Sequence, residues 1–299
     1  MDTLIKSRSA YVCALFFLTS TCCALLAEEL YRGDPFKPAD SGFKVSWGND
    51  VGKLPETVPH YSASDHPFGQ GIIQYFKKLG NFTSKTRIPP LDHWVTRKDT
   101  EIYESGSKNL NISPVTGSMI YRSGQDGNNR DLPEAPTVDE AKKLAEKLLI
   151  ELGFDPAAVS FEHVRHTSGT QGRHDRALGK VVTSRSSAGM FIPRLYEGWP
   201  SDFAGVNITY GLGGQLTEFS LCWRDVKLAG RCKVPTREEI AKQILDGRAI
   251  VVMDAAQNAS SLTIKKIAIV YREAEPFKKA DIVEPVLLIK ADATVNGVT

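Results

Sequence analysis

Pro136-Thr137-Val138-Asp139-Glu140-Ala141 is the stretch that decides the fold, and Pro235-Thr236-Arg237-Glu238-Glu239-Ile240 repeats its logic. In each, a threonine sits where its hydroxyl can accept from the free backbone N–H groups of a helix start. A glutamate three residues on can reach back to the threonine N–H, and this reciprocal pair is a capping box. Thr137 with Glu140 and Thr236 with Glu239 therefore predict two helix N-termini. After the first, Ala141, Leu144, Ala145, Leu148 and Leu152 recur at helical spacing and form one apolar stripe, and Gly153 stops it. Lys142, Lys143, Glu146, Lys147 and Glu151 fall on the opposite face and read as solvated. After the second, Ile240, Ile244 and Leu245 supply the apolar side.

Strand-like sequence follows each helix. It occupies 159–166, 189–196, 204–210 and 215–223 after the first, and 262–271 and 282–291 after the second. Val206, Ile208 and Tyr210 alternate onto one face, as do Phe219, Leu221 and Trp223. The expected fold class is therefore α+β, with two helix-on-antiparallel-sheet units. Residues 131–233 form the first unit and 234–299 the second, which reads as short enough to be truncated. Residues 28–130 are expected to be less regular, with a short helix over 71–79 and one hairpin over 110–122 around Pro114 and Gly117.

Three stretches resemble the PepSY-like group of secreted domains, and more loosely a cystatin-like sheet. One is the helix opening at Thr137-Val138-Asp139-Glu140-Ala141. Another is Arg194-Leu195-Tyr196-Glu197-Gly198-Trp199-Pro200, running into Gly205-Val206-Asn207-Ile208-Thr209-Tyr210 and Gly214-Gln215-Leu216. The last is Ile264-Lys265-Lys266-Ile267-Ala268-Ile269-Val270-Tyr271 with Val283-Glu284-Pro285-Val286. The resemblance covers roughly 132–292. It implies a protein-binding, inhibitory or regulatory role of the protease-propeptide or sensor-kinase-accessory kind. The polar stretch 167–180 is longer than that pattern needs. Independently of any family, Tyr196, Gly198 and Pro200 read as a structural turn. Gly198 supplies a positive φ, Pro200 fixes the exit direction, and the Tyr196 and Trp199 rings are placed to pack over the helix.

The N-terminus predicts export. Lys6 and Arg8 precede an apolar run over 11–18, small residues lead to Ala27, and Glu28 and Glu29 follow. Residues 1–27 read as a signal peptide, and no later run reaches the roughly 18 apolar residues a spanning helix needs. The membrane enters only through biogenesis. Thr19 and Ser20 stand where a lipid-attachment signal before Cys22 or Cys23 wants an aliphatic residue, so no lipid anchor is expected. Cys222 and Cys232 are the two remaining cysteines, and an oxidising compartment makes them the expected disulfide. Removing 1–27 takes away Lys6, Arg8 and Asp2 and leaves a net charge near +1. A whole-chain charge that small supplies no field to draw in nucleic acid.

Chemistry-bearing motifs are sparse. His163, His166 and His174 lie near Glu162 and Asp175, but His163 and His166 would face opposite sides of a strand and lack the four-residue helical spacing of zinc pairs. There is no Gly-x-Ser-x-Gly elbow and no Cys-x-x-Cys. Gly211-Leu212-Gly213-Gly214 precedes a strand and lacks the lysine of a phosphate loop. No catalytic residue, metal or cofactor is assigned. The expected function is a secreted, non-enzymatic protein-binding or inhibitory module of the cell envelope or exterior. Its partner would be a protease, a sensor or an envelope component. The alternative is an extracellular hydrolase or carbohydrate-processing enzyme with a groove built on Trp94, Trp199 and Trp223.

Overall fold

Both threonine–glutamate pairs sit at helix starts. In the computed structural model the Thr137 N–H donates to Glu140 Oε2 at 2.8 Å and the Glu140 N–H donates to Thr137 Oγ1 at 3.3 Å. At the second, Thr236 N–H to Glu239 Oε2 is 2.7 Å and Glu239 N–H to Thr236 Oγ1 is 3.2 Å. The structure describes residues 34–35, 42–67, 69–86, 100–114, 116–124, 132–175, 179–251, 259–273 and 282–294. The expected signal peptide, residues 1–27, lies outside them, as does Trp94.

The helices are α1 (Gln70–Gly80), α2 (Val138–Glu151) and α3 (Arg237–Leu245). The strands are β1 (Asp34–Pro35), β2 (Lys44–Trp47), β3 (Thr57–Pro67), β4 (Lys85–Thr86), β5 (Glu101–Ser105), β6 (Lys108–Ile112), β7 (Met119–Arg122) and β8 (Arg165–Asp175). They continue with β9 (Lys180–Tyr196), β10 (Trp199–Tyr210), β11 (Leu216–Cys222), β12 (Arg224–Lys233), β13 (Ile250–Val251), β14 (Ser261–Arg272) and β15 (Ile282–Thr294).

Pairing joins thirteen of these strands in one mixed sheet, with β1 and β13 as a separate ribbon. This overturns the expected pair of discrete, successive helix-on-sheet units. The physical reason is that the N-terminal residues are not an irregular lead-in. They supply β2 to pair with β14, β3 to pair with β15, and β7 to pair with β11. Each is a segment whose unpaired N–H and C=O groups need a neighbour, and the ladders they join belong to distant parts of the chain. The compact units that result are interleaved: 1–62, 228–272 and 282–299 in one, 63–227 and 273–281 in the other.

The larger unit is an antiparallel sheet in the order β8-β9-β10-β11-β7-β6-β5-β4. Its core joins Ile72, Ile73 and Phe76 of α1 and Ala141, Ala145, Leu148 and Leu149 of α2 to Leu110, Tyr121, Ile192, Ile208 and Phe219 of the sheet. The Phe76 ring lies 4.5 Å from Phe219 and 5.0 Å from Tyr121, and it is fully buried. In the smaller unit β14 and β15 form a long antiparallel pair, and β2 adds to β14 in parallel. Val283, Pro285, Leu287, Ile289, Ala291 and Ala293 are all buried, the period-two signature of a strand with one face inward. Ile240 and Ile244 of α3 are also buried in this unit, and the Arg237 guanidinium lies 5.2 Å from the centre of the Trp47 ring.

Cys222 and Cys232 do not form the expected disulfide; both are buried thiols with no sulfur–sulfur bond. Cys222 ends β11, and Cys232 lies near the far end of β12. An extended strand rises roughly 3.3 Å per residue, so β12 carries the second sulfur away instead of closing a small loop. Each thiol has its own surroundings. Cys222 lies beside Ser118 and Glu273, and burial pushes it up to about 12. Cys232 Sγ is 3.3 Å from His60 Nδ1 in the smaller unit.

Candidate functional site

The β8–β9 hairpin departs most from what its sequence suggests. Within the polar run over 167–180, too long for a simple turn, residues 167–175 are strand: β8 extends to Asp175 and pairs with β9 through Asp175↔Lys180. Gly179 turns the chain with φ 61°. Two glycines set how closely the strands approach. A Cβ on Gly169 would sit 2.5 Å from Ser187 Oγ, and one on Gly189 would sit 2.5 Å from Thr167 Oγ1. Between Gly169 and Thr170 the register slips, leaving Ser186 as an extra residue on β9. Such a bulge bends and twists the ribbon.

β9 pairs with β10 only over residues 188–196. The outer part of the hairpin is therefore a two-stranded arm. At its base the Arg165 guanidinium lies 4.4 Å from the Phe191 ring centre, and Arg165 Nη1 bonds Asp202 Oδ1 at 3.1 Å. Arg185 Nε donates to the Ala135 carbonyl at 3.1 Å, and Arg185 pairs with Glu134. Among the described residues β8 pairs with β9 alone. Its side chains over 165–168 and 170–172 are exposed on both faces. An eleven-residue edge of this kind leaves alternate N–H and C=O groups pointing outward, the template for an added strand. No proline interrupts it and no lysine guards its described stretch. The usable sign in the sequence was the β-forming content of Thr167, Thr170 and Val181-Val182-Thr183, which high polarity masked.

The turn at Tyr196, Gly198 and Pro200 is a two-residue hairpin loop. Glu197 (φ 47°) and Gly198 (φ 87°) both lie in the left-handed region, and Trp199 pairs back with Tyr196. This matches the mirror-image turn that tight hairpins favour. Tyr196 is buried, and its hydroxyl donates to Glu273 Oε1. The Arg194 guanidinium lies 4.6 Å from both the Tyr196 and the Trp223 ring centres, and its Nη1 is 3.6 Å from Glu273 Oε1 and 2.5 Å from the Arg224 carbonyl. Burial raises the Glu273 carboxyl despite the opposing pull of Arg194 and Tyr196. Burial first, then the adjacent Glu273 charge, holds Tyr196 well above its ordinary value. The Tyr196 and Glu273 members of this cluster are almost fully buried. Trp223 packs edge-on against Phe154 at 5.2 Å, a core position and not a groove wall.

The remaining sequence candidates lie apart. His163 Nδ1 is 2.8 Å from Ser160 Oγ, and His166 is exposed at the start of β8. Among the described residues no group of three His, Cys, Asp or Glu side chains is placed to hold a metal. The smaller unit has a cleft of about 600 Å³ lined by Lys53, Glu56, Lys233, Thr236 and Arg237 among others. Its charges are partly engaged: Lys233 lies 3.9 Å from Glu239, and Arg237 donates to the Val51 carbonyl. No described helix is long and apolar enough to cross a membrane. Comparison of the chain with protein-family models, with curated proteins and with solved structures finds no match.

Proposed function

We propose that this chain is a secreted protein-binding module that captures an extended segment of a partner by strand addition at β8. The observation that carries this reading is a long strand bonded on one side only, exposed on both faces and held out from the sheet on an arm. Strand addition draws its affinity from main-chain hydrogen bonds and needs no conspicuous side-chain constellation. The sequence resemblance to PepSY-like modules implies a binding or regulatory use of the same kind, and the edge argument does not depend on it.

Proline at consecutive positions tests the reading, because one of any two neighbours on a strand directs its N–H outward. Thr170→Pro and Gln171→Pro are compared with the wild type, each immobilised and exposed to the native extracellular milieu. One of the two should stay folded by circular dichroism yet lose a protein the wild type retains. If every retained protein binds both folded variants as well as it binds wild type, β8 is not the docking edge.

A further inference from the structure

We infer that Cys232 is a modification site, a thiol that exchanges with small-molecule disulfides using His60 as its base, and that Cys222 is not. Both sulfurs are buried thiols with no bond between them, but they differ in partner and in place. Cys232 Sγ lies 3.3 Å from His60 Nδ1, close enough for the imidazole to take the thiol proton. Gly230 makes room for that ring. A Cβ there would sit 2.7 Å from His60 Cε1 and 3.4 Å from Nε2, so a larger residue would push the imidazole aside. Glycine inside a strand weakens it and often marks a place where another group comes close. Gly230 and Cys232 are two residues apart on β12 and share a face, and the ring lies against both. Cys222 has no such base. Burial first, then the Glu273 charge, pushes its thiol up to about 12, which leaves almost no thiolate at neutral pH.

Access divides the two thiols in the same way. Cys232 is 4% exposed and Cys222 5%, so a reagent reaches either one only when its strand opens. β12 is an outermost strand: among the described residues it pairs with β3 alone, and most of its side chains are exposed, Leu228 among them. A segment with so few buried side chains opens locally at low cost. β11 is bonded on both sides, by β10 and by β7, and its Phe219 and Leu221 belong to the core of the larger unit. Exposing Cys222 therefore means breaking that core.

The exchange balances with the disulfide as its only co-reactant, and the oxidising compartment expected for an exported chain holds such disulfides. The Cys232 proton moves to His60 Nδ1, and the thiolate attacks one sulfur of R–S–S–R. That S–S bond breaks, a Cys232–S–S–R bond forms, and the released thiolate takes the proton back from the imidazolium.

The test uses the folded chain made without residues 1–27, whose only cysteines are Cys222 and Cys232, and the chromogenic disulfide dithiodipyridine. In native buffer at neutral pH one equivalent of thiopyridone should be released per chain, and peptide mass mapping should place the adduct on Cys232. The second equivalent should appear only in urea. Cys222→Ser should leave the native rate unchanged. His60→Gln should slow it by about a hundredfold, the lower range for losing a positioned base, while circular dichroism is unchanged. Gly230→Ala, which displaces the ring without removing it, should also slow the reaction and carries the same comparison should His60→Gln fail to fold. An adduct that forms first on Cys222, release of both equivalents together, or a folded His60→Gln or Gly230→Ala chain that reacts as fast as wild type overturns the proposal.

Discussion

At the scale of single residues, the clearest departures from easy chemistry are Glu197 and Glu273. Glu197 takes a positive φ in a turn where both central residues need one, and Asn-Gly is the pair best suited to that geometry. Glu197→Asn should therefore stabilise the protein by roughly 0.5 kcal/mol, a fraction of the left-handed backbone cost. A thermal melt measures it, and a lowered midpoint would contradict the turn assignment. Glu273 is a carboxyl whose folded value is raised by burial. A raised carboxyl contributes stability that is full below its unfolded value, near 4.5, and is lost as pH rises through the folded value. Urea midpoints of wild type and Glu273→Gln, compared from acid toward neutral pH, should shift in favour of the glutamine variant. A shift the other way would mean that Arg194 and Tyr196 outweigh burial. Cys222 and Cys232 carry a third expectation: in a chain made without residues 1–27 and unfolded without reductant, both take up maleimide and the mass rises by two adducts. Retention of an intact bridge would overturn the reduced-thiol assignment.

At the scale of elements, the helix starts were legible and most strand partners were not. A capping box is local chemistry within four residues, so Thr137 and Thr236 announce themselves without any knowledge of the fold. Thr137→Ala should cost about 1 kcal/mol of stability, read as a lower urea midpoint, because the Glu140 N–H at the start of α2 loses its acceptor. The strands of 204–223 were readable because Val206, Ile208 and Phe219 alternate with polar residues. β2 was not, since Lys44 to Trp47 is only four residues and the alternation of Val45 and Trp47 with Lys44 and Ser46 is too short a run to stand out. Its existence depends on β14, which lies more than two hundred residues later. β8 was lost for the opposite reason. Exposed on both faces, it has no buried side to impose an apolar rhythm, and the polar stretch read as excess loop. The candidate site was thus hidden by the property that makes it a candidate. The disulfide expectation failed because cysteine counting treats the intervening residues as slack, whereas β12 is extended.

At the scale of the whole molecule, the interleaving of the chain decides what can fold alone. The larger unit takes α1 and β4–β7 from the N-terminal part and α2 and β8–β11 from the middle, and these share one core around Phe76, Tyr121 and Phe219. A fragment starting at residue 131 would retain the α2 stripe and the β9–β11 strands. It would lose Phe76, Leu110 and Tyr121 from their inner face and leave β11 without its β7 neighbour. Those vacancies expose contiguous apolar surface and a bare sheet edge, the combination that favours aggregation over folding. The point variant Phe76→Ala, made in the full chain, isolates the packing part of that loss. It should cost about 3–5 kcal/mol, the range for removing a fully buried aromatic ring. The measurement is a urea titration of the full chain and the variant, alongside dispersion of amide proton shifts in the 131–299 fragment. A well-dispersed, cooperatively unfolding fragment would mean that the helix-on-sheet unit read from the sequence is self-sufficient after all. The N-terminal strands would then be an addition to a finished core. A collapsed or aggregated fragment together with a strongly destabilised Phe76→Ala places residues 70–122 inside the folding unit, as the shared core requires.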